Sequence, residues 1–179
     1  MEIKKIKRRS KKGQVWIETV TYTLIAFVLI GLILAFVKPK IDELQDKALI
    51  DQSINVMKQI DSVVNEVYNE GVGNKRLVEV LIRDGTIIIN STDNSLEFNF
   101  EGSYMYSEPG QSYNEGSFAI LTTQKGSVYD ISIKKNYPNY DLTYSDKENS
   151  KALSKSSTPY ELFISNKGGT SQNIDFSIK

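Results

Sequence analysis

The chain has 179 residues, enough for one globular domain and a long helix, and its 22 basic and 22 acidic side chains give a formal net charge of zero. It contains no cysteine and no histidine, which excludes disulfides, thiol nucleophiles, Cys/His zinc sites and histidine acid–base chemistry. Residues 1–13 hold seven of the basic side chains against one acid, so residues 14–179 hold 15 basic and 21 acidic side chains. This acidic remainder argues against nucleic acid as a partner, because phosphate binding requires positive charge.

The basic leader, residues 1–13, is followed directly by a long apolar run. From Thr19 to Val37 there are 19 residues without a charged side chain, about the length that a helix needs to cross the hydrocarbon of a bilayer. The sequence therefore predicts a transmembrane helix over residues 14–38. A basic segment before such a helix predicts that the leader stays in the cytoplasm and that the acidic remainder is exported.

One carboxylate, Glu18, lies at the edge of this run, with three more apolar residues before it. A charge within such a segment costs roughly 3 kcal/mol on insertion scales and by default requires a partner. We take this requirement as the main indication of function.

The small residue expected at a cleavage site lies before the apolar run, at Gly13, and no A-x-A pattern follows the run. The basic residues, Gly13, Gln14 at +1 and Glu18 at +5 resemble the class III signal peptide of archaeal type IV pilin-like proteins, a family that includes pilins and archaellins. The resemblance covers about residues 4–45 and departs at +3, where Trp16 stands in place of a frequent serine. It implies cleavage by a prepilin peptidase between Gly13 and Gln14, a platform protein with an assembly ATPase, and assembly with copies of itself or related pilin subunits into a surface filament.

Cleavage would create a positive α-amino group at Gln14, one helical turn from Glu18. Between staggered subunits, the amine of one chain could meet the Glu18 carboxylate of the next and set the axial register. Removing one member of a buried ion pair costs roughly 3–5 kcal/mol. The alternative is an uncleaved single-pass anchor carrying an extracytoplasmic binding or envelope-tethering module, with Glu18 near the cytoplasmic interface and Trp16 in the aromatic belt. An exported enzyme is the third interpretation, and no catalytic, cofactor-binding or metal-ligating pattern supports it.

Residues 39–73 are predicted to continue as an amphipathic helix. Pro39 removes one helical hydrogen bond and predicts a kink or break there. Apolar residues then recur at spacings of three and four, and Gly71 and Gly73 predict the helix end. We expect residues 50–67 to pack against the C-terminal domain and residues 41–49 to emerge from the membrane or filament core. The apolar positions are Ile41, Leu44, Ala48, Ile50, Ile54, Met57, Ile60, Val64 and Val67.

From Lys75 onward the apolar period changes to two, which is typical of strands. Asp84-Gly85 between two candidate strands predicts a hairpin, and residues 146–158 are predicted to be an exposed loop. Short strands at this spacing indicate an extracytoplasmic β-sandwich of roughly eight strands over residues 74–179, and hence an α+β fold with a long N-terminal helix. The candidate strands are 76–83, 86–90, 96–100, 103–107, 117–123, 129–133, 140–144, 160–166 and 174–178.

Three features of this domain carry weaker functional signals. Tyr104, Tyr106 and Tyr113 could form an adhesive or glycan-stacking face, or could simply pack on half-buried strand surfaces. The Asn90-Ser91-Thr92 sequon makes Asn90 a candidate N-glycosylation site in a predicted turn. The turns at 90–95 and 146–150 carry oxygen ligands but lack calcium-loop spacing, so no metal site is predicted.

Overall fold

The computed structural model describes the backbone of residues 11–169 and 172–179, and the side chains of residues 15–169 and 172–179. This part of the chain has one long helix followed by ten strands in two sheets, so the predicted α+β class is confirmed. The chain divides into two units, residues 1–41 and residues 42–179. The elements are α1 (Lys11–Glu70), β1 (Lys75–Val80), β2 (Thr86–Asn90), β3 (Ser95–Gly102), β4 (Ser112–Glu115), β5 (Phe118–Lys125), β6 (Val128–Asn136), β7 (Asp141–Tyr144), β8 (Lys151–Ser154), β9 (Tyr160–Gly168) and β10 (Asn173–Ile178).

The helix α1 continues through Pro39 and ends at Glu70. Proline removes the N–H that would bond to the carbonyl of Ala35, but the helix carries on because long helical stretches on both sides sustain it. The end directly before Gly71 matches the prediction. There the side-chain amide of Asn74 donates to the carbonyls of Glu70 and Gly71 at 2.8 and 3.2 Å, which satisfies helix-end acceptors.

The second half of α1 contributes a buried stripe to the core of the domain. Its members are 0–3% exposed, which confirms the predicted packing of residues 50–67 against the chain's own C-terminal domain. They form one hydrophobic cluster with inward-facing side chains of both sheets. The stripe consists of Ile50, Ile54, Met57, Ile60, Val64 and Val67.

The strands form a four-stranded sheet in the order β1-β9-β10-β7 and a six-stranded sheet in the order β4-β5-β6-β3-β2-β8. All named pairs are antiparallel except β7 with β10. Alternation places Leu96, Phe98 and Phe100 of β3 inside. Phe98 and Phe100 lie opposite the interior residues Ile133 and Ile131 of β6. Because both sheets share one core, the domain is sandwich-like.

The predicted hairpin at Asp84-Gly85 is wrong. β1 pairs with β9 in the four-stranded sheet, whereas β2 pairs with β3 and β8 in the six-stranded sheet. The turn is real, with Gly85 at φ +80°, but it carries the chain from one sheet to the other. A Cβ on Gly85 would lie 2.6 Å from the carbonyl oxygen of Asn99, so the position requires glycine for space as well as for backbone conformation.

Two further predictions, one of a strand and one of a loop, are wrong. Residues 103–107 form no strand, because Asp46 and Thr122 hold this segment by hydrogen bonds instead of a ladder. The predicted loop 146–158 contains β8, which pairs with β2 and buries Leu153 to 2% exposure. The short edge strand β4 was not predicted, since none of its side chains is buried and only Glu115 is partly buried.

Candidate functional site

The candidate functional site is the first half of α1, residues 15–41. Every side chain in this stretch is exposed, including large apolar residues on all sides of the helix. An 18-residue window reaches a mean hydropathy of 2.6, and none of it is buried within the chain. This helix is long and apolar enough to cross a membrane.

The polar side chains within this half are arranged to suit an apolar environment. The hydroxyl groups of Thr19, Thr21 and Thr23 donate to the carbonyls four residues earlier, at 2.9, 2.8 and 2.8 Å. Each hydroxyl therefore has an acceptor within its own helix and needs no water. In lipid, an unsatisfied hydroxyl at any of these three positions would be costly.

The proposed cleavage and register residues are only partly within the described structure. Residues 1–10 of the leader lie outside it. Gly13 and Gln14 belong to the backbone of α1, but the side chain of Gln14 is outside the described set. Glu18 lies one turn later with its side chain exposed, and Trp16 is 70% exposed. Leader cleavage and the pairing of Gln14 with Glu18 therefore stay predictions.

The apolar exposure continues beyond Val37. Ile41 is 46% exposed and Leu44 is 67% exposed, although Lys38, Pro39 and Lys40 intervene. Burial in the domain core begins only with Leu49, which is partly buried, and Ile50. Ile41 and Leu44 are thus exposed apolar side chains outside the uncharged run, separated by the acidic residues Asp42 and Glu43.

Polar contacts fix the buried half of α1 within the domain. The Asp46 carboxylate accepts hydrogen bonds from the backbone N–H and the hydroxyl of Ser103 at 2.6 and 2.7 Å. Lys58 pairs with Glu115 of β4 at 2.7 Å. This ammonium, followed by the hydroxyl of Tyr106, lowers the pKa of the Glu115 carboxyl. These partners lie 57 residues apart in sequence, so no local pattern could have identified them.

Ser91 and Thr92 of the sequon lie in the predicted turn, whereas Asn90 is the last residue of β2. The half-buried Asn90 side chain organises this turn, because its Oδ1 accepts hydrogen bonds from the backbone N–H groups of Thr92 and Asp93 and from the hydroxyl of Ser150. Its Nδ2 donates to the Asp93 carboxylate at 3.2 Å. Glycosylation of Asn90 stays a prediction.

The three tyrosines singled out in the sequence differ in exposure. Tyr104 and Tyr106 are half-buried against the core, while Tyr113 on β4 is 54% exposed. Among the described residues, no group of three or more histidine, cysteine or acidic side chains is placed to hold a metal ion.

Comparison of this chain with protein-family models, with curated proteins and with solved structures finds no match. Its function must therefore be inferred from its own residues: an exposed apolar helix joined to a β-rich domain.

Proposed function

We propose that this chain is a structural subunit of an archaeal type IV pilus-like or archaellum-like surface filament. In this proposal the chain enters the membrane as a precursor, with its C-terminal domain outside the cell. It assembles through α1 after removal of residues 1–13. The observation that carries the proposal is the exposed apolar surface of α1 from Val15 to Val37. Lipid would cover this surface in the precursor, and α1 of neighbouring copies would cover it in the filament.

Residues beyond the uncharged run favour assembly over a simple anchor. From Val15 to Leu44 the helix rises roughly 45 Å, whereas the hydrocarbon core of a bilayer is only about 30 Å thick. Ile41 and Leu44 are exposed apolar side chains on the far side of Lys38 and Lys40. Neighbouring helices in a filament would bury them, while a lone helix would leave them at the headgroup level.

The resemblance to type IV pilin-like proteins implies how the subunits would be processed and joined. Removal of the leader by a prepilin peptidase would expose an α-amino group at Gln14, and this amine would pair with Glu18 of the adjacent copy. Lipid tails are as apolar as leucine, so transfer of α1 from lipid to a filament gains little hydrophobic free energy. Extraction of α1 from the membrane therefore requires a platform protein driven by an ATPase. The ion pair between Gln14 and Glu18 sets the axial register of the filament.

The second candidate is a single-pass anchor carrying a binding or envelope-tethering module. The mean hydropathy of 2.6 in the apolar window supports it as well, because lipid alone satisfies that window. In this case the leader stays attached and each chain remains solitary in its bilayer.

Mass spectrometry of the mature protein separates the two candidates. The filament proposal expects the chain to begin at Gln14. A mature chain that retains residues 1–13 would contradict it and favour the anchor.

Replacement of Glu18 tests the register role. We expect Glu18→Ala or Glu18→Val to be cleaved and inserted normally but to form no filaments by electron microscopy. Glu66→Ala is the matched control, because Glu66 is an exposed acid in the second half of the same helix. Normal filaments from the Glu18 variants would refute the ion-pair register.

A further inference from the structure

The segment between β3 and β4 is attached to β5 by hydrogen bonds. Thr122, which is 0% exposed, bonds through its Oγ1 with both the backbone N–H and the hydroxyl of Ser107, at 3.2 and 2.8 Å. Its carbonyl accepts the N–H of Gly110 at 2.8 Å. Residues 108–111 form a turn in which the N–H of Gln111 donates to the carbonyl of Glu108. Pro109 occupies the second position and Gly110, at φ +80°, the third, as in a type II turn.

Tyr106 lies beside this turn in a fixed position. Its ring packs against the core, and its hydroxyl donates to the Glu115 carboxylate at 2.8 Å. The other oxygen of Glu115 bonds to Lys58 of α1 at 2.7 Å. Glu115 of β4 therefore links the Tyr106 hydroxyl to Lys58 of α1.

A surface groove lies between the turn and β4, with a volume of ≈ 360 Å³, within the usual range of small-molecule sites. Tyr113 presents an exposed ring along it. The Glu108 and Gln111 side chains are exposed and make no hydrogen bond or ion pair with the described residues. The lining residues are Tyr106, Ser107, Glu108, Gln111, Ser112 and Tyr113.

We propose that this groove binds a neutral saccharide. A sugar ring has one apolar face that stacks on an exposed aromatic ring, here Tyr113, and a rim of hydroxyls that both donate and accept hydrogen bonds. The Glu108 carboxylate accepts such bonds, and the Gln111 amide does both. Because the turn is already held in place, binding requires little ordering of the protein.

The charge of the groove selects against acidic sugars. Glu108 carries a negative charge, whereas Glu115 is compensated by Lys58. Among the residues that the structure describes, no basic side chain lines the groove. A uronate or a sulfated sugar would therefore meet repulsion, and a neutral hexose oligomer would not.

The test uses the full chain in phosphatidylcholine nanodiscs, probed with an array of neutral gluco-, manno-, galacto- and N-acetylglucosamine oligosaccharides and with matched uronate oligomers. We expect binding to at least one neutral series, quantified by calorimetry, and weaker binding to uronates. Tyr113→Ala should weaken binding by about tenfold or more, as loss of an aromatic stacking platform does for nucleobases. Tyr113→Phe, which keeps the ring, should bind nearly as well as the wild type.

Leu121→Ala is the matched control. Leu121 is an exposed apolar residue of β5 opposite Ser112, next to the Tyr113–Ile120 pair, and its side chain lies on the other face of the sheet. It should leave saccharide binding unchanged. The proposal is overturned if no neutral saccharide binds, if uronates bind better, or if Tyr113→Ala and Leu121→Ala weaken binding equally. The outcome does not depend on whether the chain forms filaments, because each solitary chain carries the whole groove.

Discussion

Ile60 tests whether the second half of α1 is an integral part of the β-rich domain. Its side chain is 0% exposed within the common core. Ile60→Ala removes three carbon atoms, worth about 0.8 kcal/mol each in transfer free energy, or roughly 2.4 kcal/mol in total. The cavity left behind adds to this cost, so we expect a loss of about 3 kcal/mol in the free energy of unfolding. For a domain of this size, that corresponds to a decrease of about 10 °C in Tm.

The matched control is Leu34→Ala in the same helix, where the side chain is 61% exposed. It should leave the Tm of the domain unchanged, because Leu34 takes no part in the core. Thermal unfolding of both variants, followed by circular dichroism of the full chain in a zwitterionic detergent, provides the comparison. If Ile60→Ala unfolds at the wild-type temperature, or if both variants lose equal stability, the described packing of the helix is wrong.

Two further predictions concern the domain. The pKa of Glu115 is lowered in the folded state, chiefly by its hydrogen bond to Lys58. The ionised Glu115 therefore stabilises the folded domain above the unfolded pKa of about 4.3. This stabilisation is lost as the pH falls through the lower pKa of the folded state. The wild-type Tm should therefore fall more steeply below about pH 4.3 than the Tm of Glu115→Gln; equal slopes in calorimetric scans would contradict this role. Gly85→Ala should destabilise more than the roughly 1–2 kcal/mol expected for left-handed backbone alone, because the new Cβ also meets the Asn99 carbonyl oxygen at 2.6 Å. Gly116→Ala, also at positive φ but with open space around its Cβ, should show only the backbone cost in urea unfolding.

The sequence determined those features that depend on local periodicity. The apolar run after Gly13 is long enough to specify a helix that could span a membrane, and spacings of three and four identified the stripe from Ile50 to Val67. The alternation around Phe98 and Ile131 likewise identified β3 and β6. Each signal lies within one element, so no knowledge of partners was needed.

The tertiary structure alone decided which strands pair and where the groove lies. An alternating strand has the same pattern whether it joins its neighbour in a hairpin or a distant strand, so β1 could not be assigned to β9 from the sequence. Short edge strands such as β4 bury too few side chains to leave a periodic signal. The groove beside Tyr113 depends on Thr122 and on the Lys58–Glu115 pair, which are brought together from separate elements. Contacts of this kind form only when the two sheets and the helix pack around one core. Their partners lie far apart in the sequence, so no local pattern indicates them.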